Sequence, residues 1–190
     1  MGARSRDGEG VRLSKNLPNL ITLGRLFLVP VIVVAITSGY WMTAFLAFAV
    51  AGASDALDGW LAKTFSLRTE LGAYLDPVAD KTLLVAIYVA LGIAMAVPPW
   101  LAVLVVSRDI MIVGAVLISW VLGKPVRVEP LFISKVNTAV QIAFAALVLA
   151  MRGFGWSIGT WFEAAVGLVA ALTLLSAAAY LGPWIRHMGR

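Results

Sequence analysis

Four aspartates stand between positions 55 and 80 of a chain that otherwise avoids acid: Asp55 and Asp58, three apart, and Asp76 and Asp80, four apart. On a helix each spacing gives the pair a common face. Apolar runs flank them, 41–53 before and 82–97 after. Carboxylates at membrane depth are costly and persist mainly where they bind ions or move protons. Four carboxylates converging would supply an all-oxygen site for hard divalent cations such as Mg²⁺ or Mn²⁺. Gly59, Ala62, Lys63 and Gly72 lie among them, three small residues and one cation.

The full pattern is Asp55-x-x-Asp58-Gly59-x-x-Ala62-Lys63, then eight residues, then Gly72-x-x-x-Asp76-x-x-x-Asp80. It resembles the signature of the CDP-alcohol phosphotransferases with every gap intact, and departs only at Lys63, where that family usually has Arg. The resemblance implies that Asp55, Asp58 and Asp76 hold metal, with Asp80 also at the site and acting as the base on the acceptor hydroxyl. It implies a nucleotide lying against Asp58, Gly59, Ala62 and Gly72, where missing side-chain bulk permits close approach to backbone. Lys63 would meet a diphosphate oxygen as a point charge, less directionally than the planar fork of Arg. Small residues also serve helix packing in membranes.

The elements that must position these groups are membrane helices. The chain of 190 residues is 61% hydrophobic and 13% charged, far from a soluble domain. It has no Cys, which excludes a disulfide framework or a Cys-ligated metal. A span needs about 20 residues. Six segments are read as spans, near 20–37, 43–63, 75–96, 100–122, 135–151 and 162–181, separated by turn signals such as Ser38-Gly39, Pro98-Pro99 and Gly123-Lys124-Pro125. The expected fold is therefore all-α and polytopic, with six transmembrane helices forming one domain over 17–190. Residues 1–16 form an N-terminal cytoplasmic segment, read either as an interfacial helix or as a frayed tail. The first apolar run is too long for a signal-peptide core and is read as a retained helix.

Arg4, Arg6, Arg12 and Lys15, then Lys63 and Arg68, then Lys124, Arg127 and Lys135, then Arg186 and Arg190 fall on alternate connections. The positive-inside rule then puts both termini and the aspartates on the cytoplasmic side, in a bacterial inner membrane. The net charge of +5 suits anionic lipid, not nucleic acid.

Other residues complete the expected pocket. Pro18-Asn19-x-x-Thr22-x-x-Arg25 is similar to the opening of phosphatidyl-transferring members of the family. Asn19 and Thr22 are read as nucleotide contacts or, equally, as a helix cap and a backbone-bonded hydroxyl. Arg25, deep in an apolar run, requires an acidic residue or a lipid phosphate; it is assigned to the acceptor. Ser107-Arg108-Asp109 and the stretch 132–138 resemble the cardiolipin synthases of the CDP-alcohol class. There Arg108 and Lys135 would hold the acceptor phosphate and Asn137 a glycerol hydroxyl. Lys135 could instead snorkel at a helix end. Arg108 is not expected to pair with Asp109, because adjacent helical residues do not face each other.

The resemblance implies a phosphatidyltransferase that converts CDP-diacylglycerol and phosphatidylglycerol into cardiolipin and CMP, working as a homodimer. The alternative acceptor is glycerol 3-phosphate, giving phosphatidylglycerophosphate. A UbiA-like prenyltransferase and an ion-coupled transporter also use intramembrane carboxylates. Neither accounts for Gly59, Ala62 and Gly72 at these intervals.

Overall fold

The structure, a computed structural model, describes residues 23–65, 70–122, 131–157 and 159–188, with side chains throughout except at 58–65, 70–80, 116 and 187–188. The N-terminal segment 1–16, with its expected interfacial helix, lies outside the described residues, as do Asn19 and Thr22.

Six helices make up nearly all of what is described: α1 Leu23–Thr37, α2 Trp41–Phe65, α3 Glu70–Ile93, α4 Pro99–Val121, α5 Phe132–Phe154 and α6 Trp161–Met188. The breaks between them are chemical. Gly39 takes a left-handed φ of 78° between α1 and α2, and the Tyr40 amide closes the turn on the Ala35 carbonyl at 2.8 Å. Pro99 opens α4 at a position where its missing N–H costs nothing. Gly155 ends α5 at φ 67°, with the Trp156 amide bonded to the Met151 carbonyl at 2.9 Å. Glu163 in the first turn of α6 complements the helix dipole. Pro183 interrupts the last turns of α6.

The chain divides into two compact units, Met1–Ile87 and Tyr88–Arg190. In the first, Val29, Ile32 and Ile36 are buried along one face of α1, and Ala44, Phe48 and Ala51 along one face of α2. The spacing of three and four is that of an amphipathic stripe. In the second unit α6 packs against both α4 and α5. Leu101 and Val105 of α4, Val148 and Leu149 of α5, and Val166 and Val169 of α6 are buried there. The Phe144 and Phe162 rings stack with centroids 5.8 Å apart. Tyr88 is fully buried and donates to the Gln141 carbonyl at 3.1 Å, which ties the end of α3 to α5.

The expectation of six transmembrane helices is corrected here. Among the described residues only three helices are long and apolar enough to cross a membrane: Pro99–Val121, Phe132–Phe154 and Trp161–Arg186. The apolar parts of the other three, Leu23–Thr37, Trp41–Leu57 and Lys81–Ile93, have 10–17 residues. A hydrocarbon core of roughly 30 Å needs about 20 apolar residues in a helix, more than these described stretches supply. The acidic motif itself is one cause. It occupies the second half of α2 and the first half of α3, where the sequence reading counted motif residues as part of a span. The conclusion that both termini share one side needed an even number of crossings and loses that support.

Gly155 gives a direct test of the helix ends. A Cβ built there meets nothing within 4 Å, so an alanine is opposed by backbone conformation alone. Gly155→Ala should lower stability by about 1 kcal/mol, read as a lower midpoint of thermal unfolding in detergent with activity retained at low temperature.

Candidate active site

In the first unit the described part of the site is an ion pair. Arg25 of α1 is only 2% exposed, and its Nη2 lies 2.7 Å from Oδ1 of Asp55 on α2. Asp55 itself is exposed. A buried guanidinium needs a compensating charge; of the two partners the sequence allowed for Arg25, an acidic residue or a lipid phosphate, the structure gives the acid, the first member of the aspartate motif. Asp58, Gly59, Ala62 and Lys63 continue along α2, while Gly72, Asp76 and Asp80 follow on α3. Asp55 and Asp58 lie on the helical backbone of α2, and Asp76 and Asp80 on that of α3. The side chains of residues 58–80 lie outside the described set. Among the described residues no three acidic, His or Cys side chains cluster.

In the second unit Arg108 is the centre. It is 5% exposed, on α4, and it links three helices. Its Nη2 donates to the Ser134 hydroxyl on α5 and, at 2.6 Å, to the Ser176 hydroxyl on α6. The Tyr180 ring lies 5.9 Å from its guanidinium carbon, within cation–π range. Nη1 donates to Oδ1 of Asp109. This last contact overturns the expectation that Arg108 and Asp109 would not pair. Their Cβ vectors diverge, but the long arginine side chain curls back far enough for the charged ends to meet.

Asn137 is fully buried on the same helix as Ser134, and the Thr173 hydroxyl of α6 lies 3.1 Å from its Oδ1. Lys135, between them in sequence, is exposed. Residues that sequence reasoning did not assign also enter the cluster: Ser134, Gln141, Thr173, Ser176 and Tyr180. A signal for the last three was present. Thr173, Ser176 and Tyr180 recur at spacings of three and four in an otherwise apolar helix, a polar row that must face protein and not lipid. Trp184, four further on, donates from its indole to the Ser119 hydroxyl at 2.8 Å and the Ala115 carbonyl at 3.1 Å.

An all-α chain with several apolar spans, carrying an aspartate motif on two helices and a buried arginine on a third, has the make-up of an integral membrane enzyme that handles a charged headgroup. Residues 15–179 match the CDP-alcohol phosphatidyltransferase family, and the chain belongs to it. Membership supports a transferase function in general terms and implies a metal-dependent mechanism.

The relatives carry two kinds of name. A rice protein named CDP-diacylglycerol–glycerol-3-phosphate 3-phosphatidyltransferase 1, chloroplastic, is 35% identical over 87% of this chain and 56% of its own length. Human cardiolipin synthase (CMP-forming) is 34% identical over 92% of this chain and 62% of its own length. The chain thus spans less than two thirds of either. A Haemophilus influenzae CDP-diacylglycerol–glycerol-3-phosphate 3-phosphatidyltransferase is 34% identical over 89% of this chain and 88% of its own length.

The Arg108 cluster carries its own prediction. Lysine offers one ammonium in place of a planar fork and cannot serve Ser134, Ser176 and Asp109 together. Arg108→Lys should cost about 1.5–3 kcal/mol, the range for lost hydrogen bonds to a charged group, measured by thermal unfolding in detergent.

Proposed function

We propose that this protein transfers a phosphatidyl group from CDP-diacylglycerol to glycerol 3-phosphate, forming phosphatidylglycerophosphate and releasing CMP. The observation that carries the reading is the aspartate signature, seven of whose eight specified positions are matched, in a chain of the CDP-alcohol phosphatidyltransferase family. The acceptor differs from the phosphatidylglycerol expected from the stretch 132–138. What supports glycerol 3-phosphate is that the Haemophilus relative bearing that name is matched over nearly its whole length. The likeness to human cardiolipin synthase keeps phosphatidylglycerol as the second reading.

The donor set Asp55, Asp58, Asp76 and Asp80 is carboxylate oxygen throughout, which suits Mg²⁺ or Mn²⁺ and not a softer metal. The described member, Asp55, is exposed and so accessible to an ion and a diphosphate. Two such ions, when bound, would neutralise the diphosphate and stabilise charge on the departing phosphate. Asp80 takes the proton from the acceptor hydroxyl. The oxygen attacks the phosphorus bearing diacylglycerol, the bond to the CMP phosphate oxygen breaks, and CMP leaves. Lys63 meets a diphosphate oxygen. Gly59, Ala62 and Gly72 let the nucleotide lie close to backbone, with Asn19 and Thr22 at its edge. Arg25 pairs with Asp55 at 2.7 Å, which supports a part in orienting that carboxylate ahead of any acceptor contact. Arg108, Lys135 and Asn137 serve the acceptor.

The protein acts in a bacterial cytoplasmic membrane with the aspartates on the cytoplasmic side. Lys63 and Arg68, beside the motif, support that side. It works as a homodimer, which cross-linking of the purified protein would test.

Chelation of the purified protein should abolish CMP release from CDP-diacylglycerol, and Mg²⁺ or Mn²⁺ should restore it; full turnover without metal would sink the reading. Asp58→Asn and Asp76→Asn should leave little activity. Asp80→Asn should slow turnover by about 10²–10⁴-fold while CDP-diacylglycerol still binds, the usual range for loss of a general base.

The acceptor is decided by offering each in turn and identifying lipid products by mass spectrometry. Phosphatidylglycerophosphate is expected. Turnover of phosphatidylglycerol with glycerol 3-phosphate inert would transfer the assignment to cardiolipin synthesis.

A further inference from the structure

Beyond Arg108, the facing sides of α5 and α6 hold a second polar centre, of which only Asn137 has so far been given a part. The Thr173 hydroxyl accepts a hydrogen bond from Gln141 Nε2 at 3.0 Å. Its own proton lies between the Val169 carbonyl at 2.7 Å and Asn137 Oδ1 at 3.1 Å. Asn137, Gln141 and Thr173 are all at most 1% exposed. Among the described residues, Asn137 Nδ2 then has no acceptor and Gln141 Oε1 has no donor. Unmatched polar atoms at such depth are expensive, and in native proteins they call for an explanation.

The two open atoms are complementary. Asn137 and Gln141 are one turn apart on one face of α5, and one Thr173 hydroxyl reaches both carboxamides. A group that accepts from Nδ2 and donates to Oε1 matches them together, and a hydroxyl does both. A phosphate oxygen only accepts, an ammonium only donates, and an acyl chain does neither. Ser134, a bond partner of Arg108, stands one turn before Asn137 on the same face. Nε of Arg108 also lacks a partner among the described residues, and a guanidinium N–H favours an anionic oxygen. Along α5, therefore, an anion partner comes first and a hydroxyl partner follows within two turns. A phosphoglycerol has that order: a phosphate, then a carbinol.

We infer that Asn137 and Gln141, oriented by Thr173, bind the middle hydroxyl of a phosphoglycerol acceptor. This hydroxyl does not react. The terminal hydroxyl is the one that gives up its proton in the proposed transfer, so it is unavailable for a fixed pair of bonds. The inference rests on the phosphatidyl transfer proposed above. Gln141 becomes a specificity residue, and Thr173 a positioning residue that acts through the two carboxamides. The chemistry is common to glycerol 3-phosphate and to the phosphatidylglycerol headgroup.

The test compares acceptors with and without that hydroxyl: glycerol 3-phosphate against 3-hydroxypropyl phosphate, and phosphatidylglycerol against phosphatidyl-1,3-propanediol. The pair that is turned over identifies the source. The unsubstituted enzyme should prefer the hydroxylated member by about tenfold or more in kcat/KM, as expected where buried polar groups would otherwise be left unpaired. Thr173→Val keeps the shape and removes the hydroxyl; it should bring the preference to within about twofold, chiefly through acceptor KM, with KM for CDP-diacylglycerol unchanged. Thr173→Ser should restore it. Gln141→Leu should also abolish the preference and serves if Thr173→Val fails to fold. Because the preference is a ratio within one variant, general loss of folded protein cancels. Equal slowing with both members, or a preference that survives Thr173→Val or Gln141→Leu, would overturn the inference. An unsubstituted enzyme that uses glycerol 3-phosphate or phosphatidylglycerol but ignores the middle hydroxyl would overturn it alone. One that uses neither acceptor would overturn the proposed function with it.

Discussion

A charge taken out of water must find its compensation inside the protein, and the second unit is built around one such charge. Arg108 sits in the middle of α4, a helix otherwise apolar enough to lie in lipid. Its guanidinium is held by an acid from its own helix, a hydroxyl from α5, a hydroxyl from α6 and a ring face from α6. Each contact constrains where a neighbouring helix can sit. Lipid offers helices no hydrophobic drive to associate, so packing and hydrogen bonds must do it. The Arg108 contacts, the Thr173 bonds and the Trp184 indole bonds to α4 together give α6 its register along both neighbours. The first unit repeats the theme on a smaller scale, where Arg25 joins α1 to α2 through Asp55.

Much of this was legible in the amino-acid order, and the reason differs from part to part. Helix positions followed from apolar runs broken by Gly39 and Pro98-Pro99, because backbone chemistry leaves few choices there. Asp55, Asp58, Asp76 and Asp80 fell on two helices because spacings of three and four are meaningful only on a helix. Counting spans failed where two signals overlapped. A helix can run on through the aspartate motif, but its apolar length stops there, and helix length was taken for membrane length. The Arg108–Asp109 pair was missed for another reason. Spacing rules describe Cβ directions, while an arginine delivers its charge several bonds further out. Thr173, Ser176 and Tyr180 were overlooked because single hydroxyls in an apolar helix look unremarkable until their common face is counted.

The division among relatives has a physical origin as well. Glycerol 3-phosphate and phosphatidylglycerol present the same carbinols and the same attacking oxygen. They differ at the phosphate, a monoester in the first and a diester carrying diacylglycerol in the second. Residues that read the shared part cannot separate the two acceptors, so the roles proposed for Arg108 and Asn137 are compatible with either.

The adjacent pairing of Arg108 with Asp109 bears on how the protein is made. Helices enter a membrane in the order of synthesis, and α4 arrives before α5 and α6 exist to receive its guanidinium. A lone arginine at mid-helix would resist transfer into lipid. Because the counter-ion is the next residue, α4 brings its own neutralisation and can partition as a nearly uncharged dipole. In the finished protein that pair is one side of the arginine's coordination, with Ser134 and Ser176 on the others.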